Sequence, residues 1–297
     1  MMARVDVAFP CGTTAAMHAT KPANAAHANR ELGTVRNTGR TTSLLAMIGA
    51  LTSLIVLMAL SAPALATEPR CNKARHVAGN EKPLPNLETR LETGEPIRIV
   101  ALGSSSTEGT PNLPKKDIYP AVLERVLARE VLNPVEILNR GKGGETIALM
   151  LARLDRDVIA EKPDLVIWQL GVNDVLSMDG VESAIADMRV ALQRLREQRI
   201  PVVLMDLQVA PMVDRDKDTP VMQAAIAEAA RAEGVLHFHR YDIMKNLVST
   251  QTAAMDDLVM GDGLHMTAFG HLCTGTLLAQ QIAKSSLMRL ATSRPRD

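Results

Sequence analysis

The sequence predicts a three-layer α/β/α domain built around a five-stranded parallel sheet. Short apolar runs alternate along the chain with longer segments whose apolar residues recur at helical spacing. The first of these runs, 97–102, lacks the polar alternation of a half-exposed strand, which indicates a buried strand of a parallel sheet. Hydrophobic residues make up 46% of the chain and charged residues 22%, and this balance favours a packed globular core.

The first 66 residues differ from the rest of the chain. An almost unbroken apolar run covers residues 44–60, follows Arg36 and Arg40, and leads into Ala64-Leu-Ala66. A positive flank, an apolar core and an Ala-x-Ala site are typical of a secretory signal peptide, here cleaved after Ala66. The alternative is an uncleaved membrane anchor, because 17 residues approach the spanning limit. We expect a protein exported to the periplasm or secreted, which touches a membrane only through this segment if it is uncleaved.

Residues 67–96 are predicted to be an irregular arm, because prolines and charges interrupt any apolar period. The domain proper is then 97–297. Its first strand is predicted at 97–102, where five of six residues are apolar and three are β-branched. An apolar stripe predicts a helix over 117–130, and Pro120 fits its first turn.

The remaining elements follow the same logic. A second strand is predicted at 135–138, and a helix over 147–158 ends before Pro163. The other predicted strands are 164–170, 201–207 and 235–238, and the other helices are 181–195, 219–233 and 268–285. Loops at 110–116, 208–218 and 239–260 are expected to form the substrate pocket.

Polar groups that could take part in catalysis come directly after the predicted strands. Hydroxyl groups occupy 104–107 after the first strand, and a glycine-rich turn follows the second. Asn173 follows the third strand, and Asp262 and His265 come after the fifth. The carboxyl ends of parallel strands meet at one edge of the sheet, where open α/β folds bind ligands. Acyl transfer needs this set: a nucleophile, a base, an orienter and oxyanion donors.

The spacing of these groups resembles the four sequence blocks of the SGNH/GDSL hydrolases. The blocks are Gly103-Ser-Ser105-Ser-Thr107-x-Gly109, Asn139-x-Gly141-x-x-Gly144-x-Thr146, Gly171-x-Asn173-Asp174 and Asp262-x-x-His265. Taken singly, each block is also compatible with a turn glycine, an Asx turn, a helix cap or a surface histidine. The resemblance rests on their joint order, each at the end of a predicted strand.

The resemblance implies a flavodoxin-like architecture and a serine hydrolase site. Ser105 would be the nucleophile, His265 the base and Asp262 its orienter. The oxyanion donors would be the Ser105 N–H, the Gly144 N–H and the Asn173 side chain. The Asp and Leu that usually flank the serine in the family are Ser104 and Ser106 here, and the register of the surrounding glycines selects Ser105.

The predicted function is therefore an exported serine ester hydrolase acting on a small-molecule or glycan-borne ester. Two alternatives stay open: an acyltransferase or deacetylase acting on cell-surface glycans, and a non-catalytic binding module on the same fold. No cofactor is expected, and no metal, since His237 and His239 lack an obvious third ligand. A net charge of zero argues against a nucleic-acid partner.

Two further expectations concern sulfur. Cys71 and Cys273 are the two cysteines left after removal of the signal segment, and in an oxidising compartment we expect a disulfide between them. The alternative is two free thiols. Five methionines near the predicted loops are expected to fill the core rather than to line an acyl site: Met205, Met212, Met244, Met255 and Met260.

Overall fold

The computed structural model describes residues 69–79, 82–177 and 180–293, of which 288–293 are described by their backbone alone. The predicted leader and signal peptide, residues 1–66, lie outside the described residues. Within the described ranges, no helix is both long enough and apolar enough to pass through a membrane.

Five parallel strands form a single sheet in the order β2-β1-β3-β4-β5. Their bounds are Ile97–Gly103 (β1), Val135–Gly141 (β2), Leu165–Gln169 (β3), Val202–Met205 (β4) and Leu236–Phe238 (β5). The predicted fold class and the five-stranded parallel sheet are confirmed. Strand β2 is three residues longer than predicted, because residues 139–141, at the start of the predicted glycine-rich turn, continue to pair with 101–103 of β1.

The strand order determines on which face of the sheet each connecting helix lies. The chain moves from β1 to β2 in one direction and then crosses back over β1 to β3, β4 and β5. Right-handed crossovers therefore place the helix Tyr119–Val131 on one face and the next three connections on the other. The helices longer than eight residues are Pro85–Thr93, Tyr119–Val131, Glu182–Glu197, Thr219–Glu233, Arg240–Ser249 and Ala268–Ser293. Shorter ones are Pro69–Asn72, Ser105–Glu108, Ile147–Ala152, Leu154–Asp157, Val172–Val175, Pro211–Asp214 and Met255–Leu258.

Some helix boundaries differ from the prediction. The segment predicted as one helix over 147–158 is interrupted at Arg153, whose ψ of 6° is not helical. The stretch 239–260, expected to be a loop, contains the helix Arg240–Ser249, which buries Ile243, Met244 and Leu247 against the core. The final helix begins at Ala268, as predicted, and continues to Ser293.

Residues 67–96, expected to be irregular, also contain regular structure. The helix Pro85–Thr93 starts with Pro85 in its first turn and ends at Gly94, whose φ of 71° is the left-handed cap that glycine favours. Leu87 on this helix is fully buried, so tertiary packing stabilises a segment with a weak local signal. Cys71 and Cys273 are joined by a disulfide with a Cα–Cα distance of 5.0 Å, which ties this segment to the C-terminal helix.

Candidate active site

The segment after β1 presents one of its three adjacent serines. Strand β1 ends at Gly103, and a one-turn helix begins at Ser105. Ser104 and Ser106 are buried, whereas Ser105 is partly exposed. The side chains of Ser104 and Ser106 are each hydrogen-bonded to a glutamine oxygen, at 3.1 Å and 3.3 Å respectively. Ser105 is therefore the serine whose hydroxyl faces the edge of the sheet.

Gln169 fixes the conformation of this segment from the neighbouring strand β3. Its side-chain oxygen accepts hydrogen bonds from the Ser104 N–H at 2.9 Å and from the Thr107 hydroxyl at 3.1 Å. The Tyr119 hydroxyl donates in turn to Thr107 at 3.0 Å. Gly103 is required here because a β-carbon at this position would overlap the Thr107 hydroxyl.

His265 and Asp262 form a compact pair in the turn that precedes the C-terminal helix. The His265 Nδ1 lies 2.7 Å from Asp262 Oδ2, while Asp262 Oδ1 accepts the backbone N–H groups of Leu264 and His265 at 2.9 Å each. Burial raises the pKa of the Asp262 carboxyl, but these hydrogen bonds outweigh it and lower the pKa overall. Asp262 is thus ionised at neutral pH and holds the proton of His265 on Nδ1.

The other imidazole nitrogen faces the serine. His265 Nε2 lies 3.1 Å from Ser105 Oγ, although the two residues are 160 positions apart. With Nδ1 protonated, Nε2 is an acceptor for the Ser105 hydroxyl proton. The structure therefore brings together all three residues expected to form the triad, with the geometry that a general base and its orienter need.

The glycine-rich turn after β2 packs against the same one-turn helix. Asn139 links the two, because its side-chain nitrogen donates to the Thr107 carbonyl at 2.7 Å. Gly141 allows this approach, since a β-carbon there would overlap the Glu108 backbone. The Glu108 carboxylate accepts the Gly143 N–H at 2.6 Å, a contact that the sequence did not indicate.

The predicted oxyanion donors lie beside this turn. Among the described residues, neither the Ser105 N–H nor the Gly144 N–H has an intramolecular partner. The Asn173 side-chain nitrogen donates to the Glu145 carbonyl at 2.8 Å, which holds the amide next to Gly144 and leaves its second N–H available. Asp174 is buried and anchors the other side, where its carboxylate accepts the Ile147 N–H at 3.0 Å.

A buried polar layer lies behind the serine segment. Burial raises the pKa of the Tyr119 hydroxyl to about 12. His271 is fully buried, and its Nδ1 accepts the Tyr119 N–H at 3.2 Å. Burial, together with the charges of Arg240 and His265, lowers the pKa of His271 to about 3. His271 is therefore neutral at physiological pH, and no sequence motif points to its contact with Tyr119.

The five methionines near the predicted loops differ in burial. Met205 and Met244 are buried in the core, as expected, and Met255 and Met260 are partly buried. Met212 is 40% exposed, and its N–H donates to the Gly263 carbonyl at 3.0 Å, two residues before His265. Contrary to the expectation of core filling, Met212 presents apolar surface close to the triad.

The histidine pair His237 and His239 has a structural explanation. His237 is hydrogen-bonded to Asp206 at 3.1 Å, and the two imidazole rings lie 4.1 Å apart. Within the part of the chain that the structure describes, no group of three or more histidine, cysteine or acidic residues is arranged to hold a metal ion.

Comparison with known proteins adds a family and a fold. The model of the Non-GDSL lipase-like family matches residues 70–287. A lipase/acylhydrolase from Enterococcus faecalis has a TM-score of 0.54 at 24% identity, covering 63% of this chain and 95% of its own. An acetylxylan esterase from Geobacillus stearothermophilus, in a catalytic mutant, has a TM-score of 0.53 at 18% identity, covering 63% and 94%.

A two-domain esterase (CEX) active on acetylated mannans has a TM-score of 0.60 at 19% identity. The match covers 74% of this chain and 57% of that esterase. At these identities the solved structures show a shared fold. No curated protein matches the sequence.

Proposed function

The chain belongs to the Non-GDSL lipase-like family, and from that premise we propose that it hydrolyses carboxylic esters through an acyl-enzyme formed on Ser105. The family match confirms the predicted resemblance and the class of enzyme, an ester hydrolase. The observation that carries the residue assignment is the continuous hydrogen-bonded chain from Asp262 through His265 to Ser105.

The proposed mechanism follows from this chain. His265 Nε2 removes the Ser105 proton as Oγ attacks the ester carbonyl, and Asp262 stabilises the imidazolium that forms. The tetrahedral intermediate collapses when His265 returns the proton to the departing alcohol. A water molecule then attacks the acyl-enzyme with His265 again as base, which releases the acid and restores the serine hydroxyl.

The negative charge that develops on the carbonyl oxygen needs donors on the opposite side from His265. We assign this role to the N–H groups of Ser105 and Gly144 and to the Asn173 amide. Ser105 is the first residue of a one-turn helix, so its N–H has no intrahelical partner. This N–H can therefore bind an anion without breaking an existing hydrogen bond. Asn173 is oriented by its bond to Glu145 before any substrate arrives.

For the substrate, we propose short acyl esters carried on glycans. The support is indirect: two proteins of the same fold are esterases for acetylated mannan and acetylxylan. The triad is also accessible, because the Asp262 side chain is 47% exposed and that of His265 is 28% exposed. A large polymer can approach such a site while only its acyl group needs a pocket, and Met212 offers an apolar contact beside it.

We further propose that residues 1–66 direct export and are removed, leaving the arm 67–96 and the hydrolase domain 97–297. The disulfide between Cys71 and Cys273 supports this proposal, because such bonds persist in oxidising compartments. N-terminal sequencing of the exported protein should begin at Thr67. Retention of residues 44–60 in a membrane fraction would support the anchor instead.

The test of the catalytic proposal uses the purified protein and a fluorophosphonate probe, with peptide mapping of the labelled residue. We expect the probe to label Ser105. The protein should hydrolyse p-nitrophenyl esters, fastest for short acyl chains. It should also release acetate from acetylated mannan or xylan. Release of p-nitrophenol only when an acceptor sugar is added, with the acyl group recovered on that sugar rather than as free acid, would favour the acyltransferase. A wild-type protein that neither labels nor hydrolyses any ester would favour a binding module.

A further inference from the structure

A buried glutamine outside the four sequence blocks joins the two halves of the triad. Gln208 follows strand β4 and is 1% exposed. Its side-chain oxygen accepts the Ser106 hydroxyl at 3.3 Å, and its side-chain nitrogen donates to the Leu264 carbonyl at 3.1 Å. One amide therefore touches the residue after Ser105 and the residue before His265.

The direction of this amide is fixed by its partners. The Leu264 carbonyl can only accept a hydrogen bond, so the nitrogen of Gln208 must face it. The oxygen must then face Ser106, whose hydroxyl donates. A carboxylate in the same place could keep the Ser106 contact but has no donor for Leu264. A glutamine is therefore required for both contacts at once.

The contact to Leu264 acts on His265 through a single rigid peptide group. The Leu264 carbonyl and the His265 N–H belong to the same planar peptide. The carbonyl end is held by Gln208, and the N–H end is held by Asp262 Oδ1 at 2.9 Å. The peptide that carries the imidazole is therefore anchored at both ends, and its plane is set by two side chains from different parts of the fold.

We propose that Gln208 is a positioning residue, which holds the Ser105 hydroxyl and the His265 imidazole at their reactive separation. The inference rests on the proposed function of Ser105 and His265. Without Gln208, the turn 262–265 would keep its internal bonds to Asp262 but lose its link to the serine segment. Backbone bonds from Met212 and Met260 would still hold the turn, but among the described residues its remaining hydrogen bond to the serine segment would be the 3.1 Å contact between Ser105 Oγ and His265 Nε2 itself. A misplacement of about 1 Å between reacting groups costs on the order of 10²-fold in rate.

Three substitutions separate the contacts of Gln208. Gln208→Met preserves the approximate length of the side chain and removes both contacts. Gln208→Glu is nearly isosteric and removes only the donor to Leu264. Ser106→Ala removes only the contact on the serine side. Gln280→Met is the matched control. Gln280, on the C-terminal helix, is also buried, at 7% exposure, and its side-chain nitrogen donates to Asn72 rather than to a residue near the triad.

The measurements are steady-state kinetics with p-nitrophenyl acetate, the rate of fluorophosphonate labelling and the thermal midpoint, all on the exported protein. We expect kcat and the labelling rate of Gln208→Met and Gln208→Glu to fall by about 10–100-fold, with KM within about 3-fold of wild type. Ser106→Ala should lose less than about 10-fold, and adding it to Gln208→Met should cost nothing more, because that contact is already absent. Gln280→Met should keep the wild-type kcat at a comparable loss of thermal midpoint.

The outcomes separate this inference from the function on which it rests. A kcat within about 3-fold of wild type in Gln208→Met, or in Gln208→Glu if the first variant does not fold, would overturn the positioning role. So would a change confined to KM, or an equal loss of kcat in Gln280→Met. A wild-type protein that does not label at Ser105 would instead overturn the proposed function, and the inference with it.

Discussion

Acid should destabilise this protein through His271, a histidine that takes no part in the proposed chemistry. His271 is 1% exposed, and its Nδ1 accepts the Tyr119 N–H, so the fold has room for the neutral ring and no site for a second proton on Nδ1. Burial lowers the pKa of His271 to about 3 in the folded chain, with further lowering by Arg240 and His265. In the unfolded chain, a histidine has a pKa of about 6.5.

The sign and size of the effect follow from these two pKa values. Between about pH 6.5 and pH 3 the unfolded chain binds a proton that the folded chain excludes, so the free energy of unfolding falls as the pH falls. Each pH unit in this window costs about 1.4 kcal/mol. A change from pH 7 to pH 5 should therefore lower the free energy of unfolding by about 2 kcal/mol through His271 alone.

The assay is chemical denaturation at pH 7 and pH 5 of the wild type and of His271→Gln, whose side-chain oxygen can still accept the Tyr119 N–H. The variant should be less stable at pH 7 but should lose about 2 kcal/mol less between the two pH values. Burial also lowers the pKa of His239, and that contribution cancels because both proteins retain it. The lowered pKa of Asp262 affects stability only below its ordinary value of 3.8, outside the pH 7 to pH 5 range of the assay. Equal losses in the two proteins would refute the assignment to His271.

Three other predictions follow. Ser105→Ala should lower kcat by about 10⁴–10⁶-fold in ester hydrolysis, while Ser104→Ala keeps substantial activity. If Ser104→Ala alone were inactive, Ser104 and not Ser105 would be the nucleophile. Asn173→Ala should lower kcat by about 10²–10³-fold in the same assay with little change in KM, whereas an effect on KM alone would indicate substrate binding. Mass spectrometry of the exported protein without reductant should find no alkylatable thiol. Replacing Cys71 and Cys273 by alanine should lower the free energy of unfolding by up to about 5 kcal/mol in chemical denaturation, since the bond closes a 202-residue separation; unchanged stability would argue against the bond.

The strands of this fold could be predicted from the sequence because each is a local apolar run that needs no partner to be recognised. The same holds for the order of the site residues, since strand ends mark the edge of the sheet where they meet. The ends of β2 could not be predicted in this way. Residues 139–141 look like a turn in isolation and become a strand only because 101–103 of β1 lies alongside them.

The helix Pro85–Thr93 could not be predicted for a related reason. Its first residue and its glycine cap are readable, but its apolar content is low and its stability depends on burying Leu87 against the domain. The choice among the three serines, in contrast, could be predicted from the sequence. The register of the glycines selected Ser105, and the structure supplies the physical reason: the hydroxyls of Ser104 and Ser106 are already committed to Gln169 and Gln208.

Two residues that sequence reasoning missed beside the nucleophile, Gln169 and Gln208, are neutral amides, and this has a physical basis. Gln169 and Gln208 are at most 1% exposed and contact the segments on either side of Ser105. A buried carboxylate or ammonium would carry a large desolvation cost and would shift the pKa of a nearby imidazole, whereas an amide supplies both a donor and an acceptor with no net charge. The carboxylate of the proposed triad, Asp262, lies at the exposed rim, where water offsets that cost. Gln169 and Gln208 therefore hold the serine segment without placing a further buried charge near His265, which must become an imidazolium.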